Sequence, residues 1–200
     1  MSEKPIIAVD IDDVIASNAE SFVAYSNATF GTHLSVEDYH EHWSEMWGVD
    51  HPETLRRSDI FHESGHMGTY GAVDGALEAL TELKEKFHLV VLTSRRSSMR
   101  KLTQEWVDMQ YPGIFSDVVF TSFFDVPAAG NVDKTKAHLL REIGASYIID
   151  DQVKHVLPAA EMGIPGLLFG NYPWNALPQL PENVTRVEDW NAVRVYFSRR

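Results

Sequence analysis

Short apolar runs recur along the chain, and each is bounded by polar residues. Five of them have the length and the aliphatic composition of strands buried on both faces of a sheet: residues 6–9, 89–92, 118–120, 147–149 and 166–169. Most of these runs are separated by stretches in which apolar residues recur at helical spacing. Strands that alternate with helices predict an α/β fold, a Rossmann-like parallel sheet with helices on both faces.

Three of the helical stretches carry an apolar face. The predicted faces are Leu77, Leu80 and Leu83 in residues 74–87; Leu102, Trp106 and Met109 in residues 97–110; and Leu139, Leu140 and Ile143 in a helix with Asp133 as its N-cap and Gly144 at its end. These helices fit the connections of a parallel sheet.

One long stretch, residues 16–72, separates the first strand from the helix that leads into the second. It has helical patterns over residues 17–29, 35–47 and 52–62, and no clear strand pattern. A single crossover does not need so many residues. We therefore predict a catalytic core formed by residues 1–15 and 73–200, with residues 16–72 inserted as a helical cap. The glycines that would form its return hinge are Gly65, Gly68, Gly71 and Gly75.

Composition narrows the possible functions. The 200 residues carry a net charge of −12, which disfavours binding to nucleic-acid polymers or anionic membranes. The chain has no cysteine, so disulfides, thiol catalysis and cysteine-ligated zinc are excluded. Its start resembles neither a signal peptide nor a membrane span, and a cytoplasmic location is the expectation. The sequence makes no prediction of oligomeric state.

Acidic residues follow two of the predicted strands. Asp10, Asp12 and Asp13 come at the end of the first, and Asp150 and Asp151 close the run SYIIDD. Each group alone is also compatible with a helix cap or a turn. In a parallel sheet, however, the carboxyl ends of neighbouring strands form one site. Carboxylates that converge there repel one another unless a divalent cation with oxygen ligands neutralises them, and we therefore predict a site for such a cation.

Hydroxyl groups and a lysine occur at further positions near strand ends. Thr93 and Ser94 follow HLVVL, where hydroxyls and backbone N–H groups can hold phosphate oxygens, although Ser and Thr are also common N-caps. Lys136 lies in the helix before SYIIDD, where it can steady a phosphoryl group or simply be solvated.

The ordered set AVDIDDV, VVLTSR, Lys136 and IIDD resembles the motifs of the haloacid dehalogenase (HAD) superfamily, over nearly the whole chain. The resemblance implies that Asp10 is a nucleophile which forms an aspartyl-phosphate, and that Asp12 is the general acid and then the general base. Asp12 is what favours phosphoryl transfer over dehalogenation.

The resemblance also implies the metal and phosphate ligands. Mg²⁺ would be held by Asp10, the backbone carbonyl of Asp12 and Asp150, with assistance from Asp151. Thr93, Ser94 and Lys136 would hold the phosphoryl group. Lys134 competes with Lys136 for the lysine role. Asp13 stands where many members have glycine, and Asp tolerates the unusual backbone angles of such a turn.

Within the superfamily, the chain looks most like the 5'(3')-deoxyribonucleotidases, because of the helical cap after the first motif, the TS pair and the EDWNAV segment. The implied substrate is a small phosphorylated metabolite such as a deoxynucleoside monophosphate. Trp43 and Trp47 are candidate stacking partners for a base, or core residues. Arg95 and Arg96 depart from that group, and either reach a second anionic group or are exposed.

Three other functions compete with this one. A phosphatase for a sugar phosphate or another small metabolite differs only in the cap. A non-catalytic HAD-like binding module would usually have lost the nucleophile or the metal aspartate. The segment His62 to His66 reads HESGH and matches the HExxH pattern of zinc peptidases, but Gly65 lies inside the pattern and disfavours a regular helix.

Overall fold

The computed structural model describes residues 4–121 and 135–199. Within them, six parallel strands form one sheet in the order β3-β2-β1-β4-β5-β6. The strands are β1 Ile6–Val9, β2 His88–Thr93, β3 Asp117–Phe120, β4 Ala145–Asp150, β5 Gly166–Phe169 and β6 Val184–Val187. The five predicted strands are therefore confirmed. β6 was missed because its sequence, VTRV, is short and has two polar residues in its middle.

The α-helices of the described residues connect these strands, with short 3₁₀ turns between some of them. They are α1 Asn18–Phe30, α2 Trp43–Trp47, α3 His51–Glu63, α4 Ala76–Lys84, α5 Arg100–Gln110, α6 Lys136–Glu142, α7 Val153–Glu161 and α8 Trp190–Ser198. The prediction of one helix over residues 35–47 was wrong. Ser35 and Asp38 form a capping box that closes a single 3₁₀ turn, and Tyr39 is extended.

Side chains of β1 point alternately to the two faces of the sheet, as the strand period of two requires. Ile7 and Val9 lie in one apolar cluster with residues of α4, α5 and α8, and Ala8 lies in another with residues of α6 and α7. The sheet is therefore covered by helices on both faces, which confirms the predicted fold class.

Two predicted helix faces were partly wrong. Leu77 and Met109 are exposed, at 45% and 63%. In α4 the smaller Ala76 and Ala79 are buried beside Leu80, because these positions rather than Leu77 face the sheet. The N-cap of α6 is Thr135, whose side chain accepts a hydrogen bond from the backbone N–H of His138. The predicted cap, Asp133, lies outside the described residues.

Residues 16–72 contain the helices α1, α2 and α3, and aromatic side chains of this segment pack together. Phe22 of α1 is fully buried and contacts the rings of Tyr39, Trp43, Trp47 and Phe61. The two ends of the segment lie side by side, since Ser17 N–H donates to the carbonyl of Gly71 and the N–H of Val73 donates to that of Ile15. In the part of the chain that the structure describes, every helix is too short or too polar to cross a membrane.

Candidate active site

β1 occupies the middle of the sheet, with β2 on one side and β4 on the other. Val9 is opposite Val91 in β2 and Ile149 in β4. The carboxyl ends of these three strands therefore open at one edge. Because the strand order changes direction at β1, this edge has the crevice where α/β proteins bind ligands.

The loop after β1 has an unusual conformation at Asp13, whose φ of 59° lies in the left-handed region. Aspartate adopts this region more readily than most residues. The buried Asp13 carboxylate accepts hydrogen bonds from the backbone N–H of Ala19 at 2.8 Å and from Asn18 Nδ2 at 3.1 Å. It therefore binds the first turn of α1 and fixes the loop that carries Asp10 and Asp12.

Lys136 lies between two carboxylates. It is the first residue of α6, is 1% exposed, and its Nζ lies 2.7 Å from Asp10 Oδ1 and 2.7 Å from Asp150 Oδ2. Burial disfavours its charge, but Asp10 and Asp150 hold its pKa above the ordinary lysine value. Lys136 is therefore a buried cation at the edge of the sheet. Lys134 lies outside the described residues.

Asp10, Asp150 and Asp151 form an acidic cluster. One carboxylate oxygen from each lies within 4.8 Å of the other two, and all three residues are buried. Burial is the main cause that raises the pKa of Asp10 to about 6 and that of Asp151 well above its ordinary value. Three converging carboxylates with one lysine leave negative charge in excess. Their all-oxygen donor set fits a hard divalent cation such as Mg²⁺.

Asp12 is paired with Arg95. The guanidinium donates from Nη2 to Asp12 Oδ1 at 2.6 Å and from Nε to Asp12 Oδ2 at 3.1 Å, and the Arg95 side chain is only 2% exposed. Two parallel bonds of this kind fix both the position and the plane of a carboxylate. The sequence suggested that Arg95 is exposed or reaches a second anionic group. Arg95 is instead buried, and its guanidinium is bound to Asp12.

Thr93 and Ser94 end β2 and begin the following loop. Thr93 is fully buried, and its Oγ1 accepts a hydrogen bond from the N–H of Arg95 at 3.1 Å. Ser94 lines a cavity that Asp10, Asp12 and Asp151 also line. Ser94 therefore borders the space next to the carboxylates, whereas the Thr93 hydroxyl is hydrogen-bonded within the turn.

This cavity has a volume of about 550 Å³ and lies between the strand ends and the helices of residues 16–72. Trp43 lines it, with its ring stacked on His62 at a centroid distance of 5.7 Å. Trp47 lies elsewhere: it is 6% exposed, stacks on Phe22, and its indole N–H donates to Ser26 Oγ at 3.2 Å. The two rings are one helical turn apart and in contact, with centroids 5.3 Å from each other, but only Trp43 lines the cavity.

The two histidines of HESGH do not form a zinc site. α3 ends at Glu63, Gly65 is left-handed with φ of 72°, and His66 belongs to the next 3₁₀ turn. His62 Nδ1 is hydrogen-bonded to the carbonyl of Ser58, and His66 Nε2 to the carbonyl of Ser21. The pattern lacks the single helix face that zinc peptidases require, and the metallopeptidase interpretation is wrong.

Sequence reasoning missed two residues that hold Asp151. Trp174 Nε1 donates to Asp151 Oδ2 at 2.6 Å, and Gln152 Nε2 donates to the same oxygen at 2.8 Å. Trp174 lies in the loop after β5, beyond the strand end next to β4. Its position after a strand end is the one sequence feature that it shares with the aspartates, and no motif marks it.

Comparison with known proteins gives consistent results. Residues 4–196 match the family model described as 5' nucleotidase, deoxy (pyrimidine), cytosolic type C protein. A Bacillus subtilis protein named as a candidate nucleotidase is 25% identical over 189 residues, which are 92% of this chain and 89% of that protein.

Solved structures share the fold. A haloacid dehalogenase-like hydrolase of Streptococcus pneumoniae superposes with a TM-score of 0.72 at 16% identity, over 98% of this chain and 100% of that one. A HAD hydrolase of Bacillus subtilis solved with bound magnesium superposes with a TM-score of 0.61 at 14% identity, over 98% of this chain and 99% of that one.

Proposed function

The chain belongs to the family of cytosolic type C 5' nucleotidases, deoxy (pyrimidine), which are HAD-type phosphatases, and from this premise we propose that it is a magnesium-dependent nucleotidase acting through an aspartyl-phosphate on Asp10. Its substrate in this proposal is a deoxynucleoside monophosphate, and the cytosolic type of the family supports action in the cytoplasm. Residues 1–15 and 73–200 form the catalytic core, and residues 16–72 form the cap that closes the cavity.

The observation that carries the proposal is the contact of Asp10 with Lys136 at the edge of the cavity. Asp10 Oδ1 lies 2.7 Å from Lys136 Nζ, and Asp10 lines the cavity. Burial raises the pKa of Asp10, but the charge of Lys136 opposes that effect and favours the ionised form that acts as the nucleophile. Lys136 offsets negative charge that accumulates as a phosphoryl group approaches a carboxylate.

The reaction proceeds in two displacements. An Asp10 carboxylate oxygen attacks phosphorus, the bond to the leaving oxygen breaks, and Asp12 in its protonated form donates its proton to that oxygen and becomes the carboxylate that pairs with Arg95. Asp12 then removes a proton from water, the water oxygen attacks the phosphorus of the aspartyl-phosphate, and inorganic phosphate leaves with Asp10 regenerated. Arg95 keeps the Asp12 carboxylate in place through two hydrogen bonds.

Mg²⁺ would be held by Asp10, the backbone carbonyl of Asp12 and Asp150, with assistance from Asp151. When bound, it supplies positive charge that polarises the phosphoryl oxygens and offsets the charge of the acidic cluster. In this proposal Lys136 and Ser94 hold the phosphoryl group beside Asp10, and Thr93 contributes by fixing the turn that carries Ser94.

Trp43 supports a nucleotide as the substrate. Its ring lines the cavity that also contains the carboxylates, so a base can lie against it while the phosphate reaches Asp10. The test is a panel of 5'- and 3'-deoxynucleotides, ribonucleotides and sugar phosphates, assayed with Mg²⁺ and with chelator. Preference for a deoxynucleotide supports the proposal. Preference for a sugar phosphate would contradict the proposed nucleotide substrate.

A second test concerns the nucleophile. The Asp10→Asn variant should fold and should lose at least about 10³-fold in turnover, because amide nitrogen and oxygen cannot form the aspartyl-phosphate. The control is Asp117→Asn, which alters an exposed aspartate at the start of β3, away from the carboxyl ends of the strands where the site lies. Wild-type turnover of para-nitrophenyl phosphate by the Asp10 variant would contradict the covalent mechanism.

A further inference from the structure

The loop after β5 places an indole against the acidic cluster. Trp174 Nε1 donates a hydrogen bond of 2.6 Å to Asp151 Oδ2, while Gln152 Nε2 donates to the same oxygen at 2.8 Å. Two donors on one oxygen restrain the rotation of the Asp151 carboxylate, which belongs to the acidic cluster. Burial raises the pKa of Asp151 well above its usual range, and the indole bond acts in the opposite direction by favouring the ionised form.

The ring of Trp174 is held by two other aromatic rings. Tyr172 stacks on it with a centroid distance of 4.5 Å and an interplanar angle of 5°. Tyr39, from the segment of residues 16–72, meets it edge-on at 5.1 Å. Tyr172 also donates from its hydroxyl to the carbonyl of Asp13 at 2.9 Å. The plane of the indole is therefore fixed, and with it the direction of the N–H.

The backbone that carries Trp174 is anchored as well. Asn175 is fully buried, and its Nδ2 donates to the carbonyls of Asp151 at 3.0 Å and Phe169 at 2.8 Å. Arg186 of β6 donates to Asn175 Oδ1 at 2.9 Å and to the Asn175 carbonyl at 2.7 Å. At Gly170 a Cβ would come within 2.1 Å of the Tyr172 ring, so this close approach needs glycine.

We propose that Trp174 is a positioning residue, which orients the Asp151 carboxylate for binding of a divalent cation by the acidic cluster. The proposal rests on the metal site of the proposed function, and it adds a residue of the loop after β5 to that site. Residues that hydrogen-bond a metal-ligating carboxylate commonly change metal affinity by about 10–100-fold when they are replaced.

The test is a titration of the full chain with MgCl₂ in the absence of substrate, by calorimetry and by the rise in melting temperature. Trp174→Phe keeps a ring that stacks on Tyr172 but removes the N–H. We expect it to bind Mg²⁺ at least about 10-fold more weakly than the wild type. Its phosphatase activity should fall at low Mg²⁺ and recover at high Mg²⁺, which a general loss of structure would not produce.

Trp106→Phe is the matched control. It also replaces an indole that donates a hydrogen bond by a phenyl ring. The indole of Trp106 donates at 2.9 Å to the carbonyl of Tyr70, which lies outside the acidic cluster. Because the Trp106 side chain is fully packed in the wild type, Trp106→Phe should melt at a lower temperature, but its Mg²⁺ affinity should be unchanged. A Trp174 variant with wild-type Mg²⁺ affinity would overturn the proposal.

A second measurement covers a Trp174 variant that fails to fold. In the wild-type chain, Mg²⁺ should shift the assigned indole N–H resonance of Trp174 more than that of Trp106, and equal shifts would overturn the proposal. If the wild type binds Mg²⁺ but hydrolyses no phosphomonoester, the proposed function fails while the assignment of Trp174 stands. If the wild type binds no Mg²⁺, both fail.

Discussion

The pairing of Arg95 with Asp12 allows the role of Asp12 to be tested without changing it. Arg95→Met keeps a side chain of similar length but removes both hydrogen bonds to the carboxylate, at 2.6 and 3.1 Å. The adjacent Arg96→Met is the matched control, because Arg96 lines the same cavity but its nearest acidic partner is Asp59 at 3.8 Å.

The magnitude is set by burial. Removing one partner of a buried ion pair costs about 3–5 kcal/mol. The Arg95 side chain is 2% exposed but that of Asp12 is 27% exposed, so water can solvate the carboxylate that remains. We therefore expect the free energy of unfolding to fall by about 2–3 kcal/mol. General acid–base catalysis contributes about 10²–10⁴-fold, and loss of its positioning should cost a part of that, about 10²-fold in kcat.

The assay compares two leaving groups. Para-nitrophenolate departs without help, whereas the alkoxide of a nucleotide needs a proton from Asp12. The water step, in which Asp12 is the base, is common to both substrates, so the first displacement is measured by itself in a single turnover. Arg95→Met should slow this step strongly with a deoxynucleotide and only slightly with para-nitrophenyl phosphate, while Arg96→Met should show no such difference. Equal losses of the Arg95 variant on both substrates would refute the idea that Arg95 acts through the acid.

Three further predictions concern neighbouring residues. Without metal, the stabilising effect of a raised Asp10 pKa is lost as the pH rises through about 6. The melting temperature of the wild type relative to that of Asp10→Asn should therefore fall across that pH range, and Mg²⁺ should remove the trend. A difference in melting temperature that does not change with pH would contradict this prediction. Asp13→Gly suits the φ of 59° but loses the bonds to α1, and should lower the unfolding free energy in urea by about 1 kcal/mol. Trp43→Ala should raise KM for nucleotides about 10-fold, whereas Trp47→Ala should cost about 3–5 kcal/mol of stability.

The sheet and its acidic edge could be predicted because their signals are local. An apolar run such as residues 6–9 is a buried strand, and the residues directly after it must lie at the strand's carboxyl end. The convergence of Asp10 with Asp150 then depends only on β1 and β4 being neighbours, and they are. Lys136 was predicted from its place before β4, and the structure brings it to both carboxylates.

The remaining features depend on tertiary contacts that no local pattern encodes. Arg95 could be exposed or buried until Asp12 is known to lie beside it. Leu77 and Met109 fit a helical spacing but lie just outside the face that meets the sheet. Trp174 has no motif, because its role comes from the pairing of β4 with β5, which places the loop after β5 next to Asp151.

The covalent step on Asp10 can be observed directly. The wild-type chain is mixed with Mg²⁺ and a deoxynucleotide, quenched in acid within a single turnover, digested, and analysed by mass spectrometry with fragmentation that separates Asp10 from Asp12 and Asp13. We predict a phosphoryl group on Asp10 that appears before inorganic phosphate, decays as phosphate is released, and is absent from Asp10→Asn. Release of phosphate with an unmodified Asp10 throughout the turnover, or a phosphoryl group on another residue, would contradict the mechanism.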